Sequence, residues 1–501
     1  PPVHNVTQGT YHATIQAAIN AATNGDTIEV AAGTYVEDVT VTNKFFNLIG
    51  EVDGTGAPVS ILQGTLSIDN PSYGPPSPPE FTLIKNIYFE GTDNHLLILK
   101  NLNGGLVENC VFDGNGRFLA LPNINGINLV SGPNGNSDIT VTGSLFKDGL
   151  YVGIGGYADG LTVQTSEFTN VKSGINMQGN GNLVVTDSTF LTKPVSDGDS
   201  YGIRYTAGDT TGAKSMTITG STFEIDLSGG FTPASGNYHT SIYTRGTGLD
   251  TLTVEGNTIL GGAVNTSLSA TLDVSPNWWG SALGPQFPIE GDVQIAKWCA
   301  DADCLTFLPD DNGDVPISGD PFTQTGAIKL YVDGVNYYLP AGTTIQNDSP
   351  CFEVYADDIK IYTDYPAAAK CIPTDGSDGI WVADAVQNLR VVNLEFDGTG
   401  QTTGSGIFFA GDVVGFQVVD NYFHDLDASG VVFTGTPSGS TMDIQGNMFR
   451  DLGAAAIVSP AAINAEYNSW GVYAGATLTN VDTEPHTHAD FYMEYEGVIP
   501  L

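Results

Sequence analysis

Basic residues are scarce in this sequence: 16 lysines and arginines stand against 56 aspartates and glutamates in 501 residues, a formal net charge of −40 at pH 7. Such a polyanion repels phosphate backbones and anionic lipid headgroups, so the sequence predicts no nucleic-acid partner. Long apolar runs are also missing, since stretches such as 406–410 are far too short to span a bilayer. No charged and apolar leader follows Pro1, and we expect a soluble, mature chain without membrane insertion.

Cysteine is rare as well, with five in the chain and no Cys-x-x-Cys spacing that would favour a zinc ribbon or a thioredoxin-like site. Two pairs lie close in sequence, Cys299 with Cys304 and Cys351 with Cys371, so two local disulfides are predicted. Disulfides persist in oxidising compartments, which predicts an extracellular or cell-surface location. Cys110 is left over, and we expect a free, buried packing residue because nothing basic adjoins it.

A short repeat is the main feature that the chain does contain. The repeated segment begins with an apolar residue, carries Ser, Asn or Cys in most copies at its turn position, and ends in Phe in most copies. It occurs at 84–89, 107–112, 141–146, 163–168, 185–190, 218–223, 254–259, 391–396, 418–423 and 444–449. A period of about 22 residues, lengthened by insertions, is typical of a coil of three short parallel strands. The phenylalanines should face inward, and the Ser, Asn and Cys positions should form a buried polar ladder.

The start of the chain predicts a capping helix. Apolar residues recur at helical spacing within 13–22, and Asn24-Gly25 ends the helix before strand alternation begins at Thr27. This opening resembles that of right-handed parallel β-helix proteins of the pectate-lyase-like superfamily. The run Asn277-Trp278-Trp279-Gly280, followed by Gly284-Pro285, resembles the closing coil of many bacterial secreted and surface members. The resemblance implies the fold but no single activity, because the superfamily includes lyases, hydrolases, epimerases, adhesins and structural proteins.

The predicted fold class is therefore all-β, with two tandem right-handed parallel β-helices (solenoids), the first of which has the short N-terminal capping α-helix. A polar stretch rich in Asp, Gly and Pro indicates a linker between them. We predict a first β-helix domain at 1–312, a linker at 313–321 and a second β-helix domain with a C-terminal tail at 322–501. In the second domain Asn468-Ser469-Trp470-Gly471 echoes the earlier closing motif.

One candidate catalytic site occupies the position after the repeat phenylalanine, which we expect to face solvent. In the second half this position holds Asp397, His424 and Arg450 on consecutive rungs, about 4.8 Å apart. A glycan lyase or epimerase needs a cation that neutralises a carboxylate and a base that takes a proton, and this column offers both. The alternative is a solvated, salt-bridged face without a catalytic role.

A second candidate lies on an inserted turn with Asp197, Asp199, Arg204, Asp209 and Lys214. The resemblance to pectate-lyase-like enzymes implies that acids with a nearby arginine could bind Ca²⁺ and a uronate together. The alternative is an ordinary polar loop. We expect that the protein requires no cofactor. If it binds one, calcium is the ion that these carboxylates suit.

Two further groups have metal-ligand spacing. Asp310, Asn312 and Asp314 alternate like the start of an EF-hand loop, but Val315 and Pro321 stand where its Gly and Glu belong, so only a looser oxygen site is left. The tail holds the second group, His486, His488 and Asp490. These three residues would share one face of a strand as transition-metal ligands, and a metal-free tail is the alternative.

Two functions from different classes fit these observations. The sequence favours a non-catalytic extracellular structural or adhesive protein, a subunit of a surface layer, sheath or fibre, because it matches no catalytic motif and is poor in bases. The alternative is a secreted polysaccharide lyase, hydrolase or epimerase acting in a groove along the β-helix. Expected partners are further copies of the chain, added head to tail, or cell-surface glycans. The tail 480–501 is too apolar for a free end and should cover its own last rung or a neighbour's first rung.

Overall fold

The computed structural model forms two compact units, Pro1–Gly280 with Pro288–Ala296, and Ser281–Phe287 with Lys297–Leu501. The residues that the structure describes are 2–71, 82–91, 95–116, 124–131, 135–179, 181–194, 198–207, 214–226, 239–247, 250–267, 270–310, 313–317, 327–347, 349–364, 368–465, 467–470 and 479–482. Among them, no helix is long and apolar enough to cross a membrane.

The first unit is a coil of short strands that belong in turn to three sheets. Sheet 1 contains Thr10–His12, Val3–Asn5, Thr27–Val30, Asn47–Gly50, Thr82–Lys85, Asn103–Glu108, Ser137–Thr142, Gly160–Gln164, Asn182–Thr186, Ser215–Thr219, Thr251–Glu255, Leu272–Asp273 and Val293–Gln294. Sheet 2 contains Gly33–Val36, Ser60–Gln63, Ile87–Glu90, Val111–Asp113, Leu145–Lys147, Glu167–Val171, Thr189–Thr192, Thr222–Ile225 and Thr258–Leu260. Sheet 3 contains Val39–Thr42, Leu66–Asp69, Leu97–Lys100, Asn125–Val130, Val152–Tyr157, Ser173–Gly179, Ser200–Ala207, His239–Gly246, Ala263–Ser267 and Ile289–Gly291.

The second unit repeats this architecture after a small antiparallel pair, sheet 4, of Trp298–Cys299 and Phe307–Leu308. Sheet 5 contains Asp314–Pro316, Asn336–Tyr338, Lys360–Tyr362, Gln387–Val392, Val413–Val419, Pro437–Gln445, Ile457–Asn464, Val431–Phe433, Ile407–Phe409, Ile380–Val382, Phe352–Val354, Ile328–Leu330 and Thr479–Asp482. Sheet 6 contains Thr344–Asn347, Ala369–Pro373, Leu394–Asp397, Tyr422–His424, Met448–Arg450 and Ser469–Trp470. Strands in sheets 2, 3, 5 and 6 pair in parallel, which confirms two parallel β-helices.

The N-terminal cap is the helix Ile15–Ala21, as the spacing predicts. Thr14 is its N-cap, and the hydroxyl of Thr14 accepts a hydrogen bond from the Ala17 amide. The Glu37 carboxylate accepts hydrogen bonds from the first two helical amides, those of Ile15 and Gln16, at 2.8 and 3.0 Å. The helix buries Ile15 and Ile19, and so closes one end of the apolar interior.

Stacked phenylalanines fill the interior of both coils. In the first unit, Phe146 and Phe168 lie 4.6 Å apart between ring centroids, and Phe168 and Phe190 are equally close. In the second unit, Phe396 and Phe423 stack at 4.7 Å. All the predicted core residues are buried, namely Ile15, Ile19, Phe89, Phe112, Phe146, Phe168, Phe190, Phe223, Phe396, Phe423 and Phe449. Parallel, in-register pairing of Phe with Phe produces these stacks.

The predicted polar ladder is also present. The Cys110 amide donates to Ser144 Oγ at 3.1 Å, and the Ser144 amide donates to Ser166 Oγ at 3.3 Å. In the second unit the Asn421 amide donates to Asn447 Oδ1 at 2.8 Å. Each of these buried backbone N–H groups therefore finds a side-chain acceptor on the next rung, as burial in an apolar coil requires.

The structure joins Cys299 to Cys304 and Cys351 to Cys371, which confirms both predicted disulfides. Cys110 is free and fully enclosed, and burial raises the pKa of its thiol to about 12. This thiol is an inert packing group, because the reactive form is the thiolate.

Part of the predicted linker has regular structure. Asp314–Pro316 pairs in parallel with Asn336–Tyr338 because Val315 packs in register with the buried Tyr337. This strand therefore belongs to the second β-helix. The domain limits 1–312 and 322–501 stay a prediction.

The lengths of the turns distinguish sheet 3 from the other faces of the first unit. From Thr82 onward, one or two residues join each sheet 1 strand to the next sheet 2 strand, as between Glu108 and Val111. In contrast, residues 226–238 lead into the sheet 3 strand His239–Gly246, and residues 208–214 follow Ala207 out of the same sheet. In the sequence, long connections thus precede and follow strands of sheet 3.

Candidate functional site

The column of Asp397, His424 and Arg450 forms on sheet 6 as the repeat predicts. The three residues pair in register on neighbouring rungs, each after a buried phenylalanine. The expectation that the column faces solvent is wrong for His424, which is 8% exposed. The reason is that carboxylates enclose its ring. Nε2 lies 3.0 Å from Glu395 Oε1, and Nδ1 lies 2.8 Å from Asp425 Oδ2.

These carboxylates set the charge of His424. Burial by itself lowers the pKa of the imidazole, but the hydrogen bonds to Glu395 and Asp425, with the nearby Asp397 charge, outweigh it and raise the pKa. Lys370, which sequence reasoning missed, places Nζ 2.9 Å from Glu395 Oε1 and 2.8 Å from Asp397 Oδ2. Burial opposes ionisation of Asp397, yet hydrogen bonds from Lys370 and from a neighbouring threonine hold its pKa at about 2.

As arranged, this cluster is a closed ion-pair network. Both ring nitrogens of His424 face carboxylates, and the Lys370 ammonium lies between two more oxygens. Arg450 Nε lies 2.9 Å from Asp451 Oδ2, and its guanidinium also donates a hydrogen bond to Tyr422, whose ring stacks on His424. No nitrogen of the His424 ring is left to take a proton from a substrate, which disfavours acid–base catalysis here.

The second candidate lies on the outer face of sheet 3. Asp199 Oδ2 accepts a 2.6 Å hydrogen bond from the Tyr201 hydroxyl. The Arg204 guanidinium lies 5.4 Å from the ring centroid of Tyr201 and 5.7 Å from that of Tyr243, within the range of cation–π attraction. Asp197 and Asp209 lie outside the described residues. Lys214 is fully buried directly before the sheet 1 strand Ser215–Thr219.

Two residues that the sequence analysis missed belong to this face. Lys172 is 1% exposed, and its ammonium donates a 2.8 Å hydrogen bond to the Tyr151 hydroxyl. His239 pairs in register with Ser200 at the start of its strand. Burial lowers the pKa of His239, the Asp199 charge partly opposes this, and the Lys172 charge adds to it. The ring is therefore a neutral imidazole at pH 7, within electrostatic reach of both charges.

The same face holds buried polar atoms that no described residue satisfies. These are Asn176 Oδ1, Arg204 Nε and Thr206 Oγ1. Asn176 pairs in register with Arg204, and Thr206 follows on the same strand with the buried Tyr205 between them. A buried polar atom without a partner costs about 1–3 kcal/mol. All three atoms are enclosed by protein in this structure.

The two weak metal candidates have different outcomes. Asp310 Oδ1 accepts a 3.0 Å hydrogen bond from the Asp314 amide, and the Asp314 carboxylate accepts one from the Tyr362 hydroxyl. Both carboxylates thus help to form a turn and a strand start, while Asn312 lies outside the described residues. His486, His488 and Asp490 also lie outside them.

Signals for the missed residues are weak in the sequence. Lys370 and Glu395 stand two residues before the column position of their rungs and so share its face. The sequence carries no signal for Lys172, because its burial becomes visible only in the folded chain. His239 follows an insertion, and its strand carries no complete copy of the repeat that would align it with Asp199.

No protein-family model and no curated protein matches the chain. Among solved structures it is similar to a PL6 family alginate lyase, AlyGC, with 9% identity, a TM-score of 0.24, and coverage of 93% of this chain and 98% of that one. The periplasmic alginate epimerase AlgG gives 10% identity, a TM-score of 0.24, and coverage of 89% and 85%. The catalytic unit of a GH87 α-1,3-glucanase of Streptomyces thermodiastaticus gives 13% identity and a TM-score of 0.22, with coverage of 93% of this chain and 67% of that one. Values this low carry no argument about the activity of this chain.

Proposed function

We propose that the protein is an extracellular enzyme that acts on a uronate-containing polysaccharide at the outer face of sheet 3, by a lyase or epimerase reaction. This reverses the order in which the sequence alone ranks its two functions. The observation that carries the proposal is the grouping of two cations, Arg204 and Lys172, with the neutral imidazole of His239. The disulfides support the extracellular location.

The chemistry of such a reaction starts with proton abstraction from the ring carbon next to a uronate carboxylate. His239 is the proposed base, because its lowered pKa keeps it unprotonated near neutral pH. Both of its ring nitrogens are enclosed in this structure, so binding of the substrate has to open a path to them. Arg204 and Lys172 neutralise the carboxylate and so stabilise the negative charge that develops on it.

The resulting carbanion has two outcomes. In elimination, the electron pair expels the glycosidic oxygen, which needs a proton as it leaves. The Tyr151 hydroxyl accepts a hydrogen bond from Lys172 and so keeps its own hydrogen available for donation to that oxygen. In epimerisation, a proton from water adds to the opposite side of the carbon, and the proton that His239 took is released to solvent. No calcium ion is needed in either sequence of steps.

The net charge of −40 opposes the approach of an anionic glycan, so attraction has to be local. Sheet 3 supplies it through Arg204 and Arg245 on consecutive rungs, with Lys172 directly before the strand that precedes them. Arg245 is exposed, in register with Thr206.

The test uses alginate, polygalacturonate, hyaluronan and glucuronan as substrates, with ultraviolet absorbance to detect unsaturated products and NMR to detect epimerised residues. His239→Gln should lower kcat about 10²- to 10⁴-fold, the size of a general-base effect. Arg204→Ala should raise KM and lower kcat. Lys85→Ala is the matched control, because this cation pairs with Glu108 on sheet 1, away from the proposed face, and should leave turnover unchanged.

A chain that changes none of the four polymers contradicts the proposal. Turnover that survives His239→Gln but is lost in His424→Gln moves the active site to sheet 6. The structural or adhesive role is the second candidate, favoured by the continuous stacks of Phe89 through Phe223 that stiffen the coil. Ordered fibres or sheets in electron microscopy, together with absent turnover, would establish that role.

A further inference from the structure

We propose that Glu395, Asp397 and His424 form a binding site for a divalent transition metal, in which Lys370 holds the place of the ion. One ligand atom from each of the three residues lies within 4.8 Å of the others. His424 Nε2 and Glu395 Oε1 are 3.0 Å apart. This site lies on sheet 6 and is separate from the proposed enzymatic face, so it does not depend on the proposed function.

The distance between His424 Nε2 and Glu395 Oε1 suits a metal of the size of Zn²⁺. Zinc bonds to imidazole nitrogen and carboxylate oxygen are about 2.0–2.2 Å, which in a tetrahedral shell separates the ligand atoms by about 3.3–3.6 Å. His424 Nε2 and Glu395 Oε1 would move apart by only a few tenths of an ångström. Glu395 and His424 are buried, and Asp397 is partly exposed, which leaves an open side for a further ligand.

The other nitrogen of His424 supports the same conclusion. Nδ1 lies 2.8 Å from Asp425 Oδ2, so a carboxylate orients the ring and turns Nε2 toward Glu395. Metal-bound histidines nearly always have this second partner, which fixes the ring and increases the basicity of the ligating nitrogen. An ion pair alone does not require a carboxylate on both ring nitrogens.

Lys370 fills the position that the ion would take. Its ammonium lies 2.9 Å from Glu395 and 2.8 Å from Asp397, and its side chain is 36% exposed. The ammonium can therefore move into solvent without crossing the core when a divalent ion replaces it. An imidazole ligand selects a transition metal over Ca²⁺, which takes oxygen ligands.

The experiment is a titration of the full chain with zinc chloride, followed by calorimetry and by the thermal unfolding midpoint. Wild type should bind one ion at this site, and its unfolding midpoint should rise. His424→Gln should abolish this binding, and Asp425→Asn should weaken it about tenfold. Lys370→Met removes the competing ammonium and its hydrogen bonds, and should tighten binding about tenfold.

Two controls separate this site from others. Lys147 forms ion pairs of the same kind with Asp113 and Asp148. No described histidine takes part in those ion pairs, so Lys147→Met should leave zinc binding unchanged. The tail histidines are the rival ligands, so the double variant His486→Gln, His488→Gln should bind like wild type. Calcium chloride in place of zinc chloride should produce no shift.

Three results would overturn the proposal: no zinc binding by either wild type or Lys370→Met, equal binding by His424→Gln, or loss of binding in the tail variant. Misfolding of a variant cannot produce the expected pattern. An unfolded chain would only weaken or lose zinc binding, whereas Lys370→Met should tighten it.

Discussion

The amide nitrogen of Asn421 donates a 2.8 Å hydrogen bond to Oδ1 of Asn447, one rung further along the second coil. Asn447 in turn donates its own amide to Asn468 Oδ1 at 2.9 Å. Each asparagine thus satisfies the backbone of the previous rung, and the ladder stabilises the coil only as a connected series.

Asn447→Ala should therefore destabilise the second unit. The substitution leaves the buried Asn421 amide without its acceptor, at a cost of about 1–3 kcal/mol. Chemical denaturation followed by circular dichroism measures the loss. Gln387→Ala is the control, since this residue is exposed on a strand of the same unit and should change stability by less than about 0.5 kcal/mol. Equal effects of the two variants would contradict a role for the ladder.

Phe168→Ala should be among the most damaging single changes in the first unit. Its ring stacks on both Phe146 and Phe190 at 4.6 Å, and the cavity left in a coil of in-register rungs cannot collapse easily. The expected cost is about 3–5 kcal/mol. Tyr157, which is 47% exposed, gives the control Tyr157→Ala with little change. A loss for Phe168→Ala no larger than that of the control would show that the stack contributes nothing.

The ion cluster of sheet 6 should make the metal-free second unit sensitive to acid. Hydrogen bonds from Lys370 hold the pKa of Asp397 at about 2 against an ordinary 3.8. A lowered folded-state pKa stabilises the protein above the unfolded pKa, so this contribution is complete above pH 3.8 and disappears as pH falls toward about 2. Asp397→Asn should flatten the dependence of the unfolding midpoint on pH in that window. An unchanged slope would argue against the pairing.

His424 should have the opposite effect on the dependence of stability on pH. Its raised pKa means that its contribution to stability is present below the unfolded value and is lost as pH rises through the folded one. Unfolding measured from pH 6 upward, in wild type and His424→Gln with a chelator present, separates the two groups. Only the wild type should lose stability with rising pH over this range.

The proposed base His239 predicts a shifted pH profile of activity. Its pKa lies below the ordinary 6.5, so the midpoint of the acidic limb of the kcat/KM profile should lie at a pH below 6.5. The Asp199 charge raises this pKa and the Lys172 charge lowers it. Asp199→Asn should therefore move the limb to lower pH, and Lys172→Met should move it to higher pH. Shifts of the same sign in the two variants would exclude His239 as the titrating group.

Cysteine chemistry offers a direct check of the covalent structure. Peptide mapping without reduction should recover Cys299 linked to Cys304 and Cys351 linked to Cys371. Cys110 should resist alkylation in the native protein and react only after unfolding, because it is buried and its thiol pKa is raised to about 12. Rapid native labelling of Cys110 would contradict the packing of its rung.

Sequence alone determined the parts of this protein that depend on spacing along the chain. In a parallel coil, a residue contacts its copy one period later, so a repeat read from the sequence translates directly into neighbours in space. For this reason the inward Phe168, the acceptor Ser144 and the order of Asp397 and His424 could all be predicted. The two disulfides followed because their partners are close in sequence.

Only the tertiary structure decided which side chains from different positions of the repeat meet. Lys370 reaches Glu395 and Asp397 because a long flexible side chain crosses from one rung to the next, and no periodicity specifies its direction. Lys172, Arg204 and His239 come to one face after insertions of unequal length, which remove any fixed spacing between them. Their charge states were beyond the sequence too, since burial and neighbouring charges set a pKa, and both exist only once the coils have stacked.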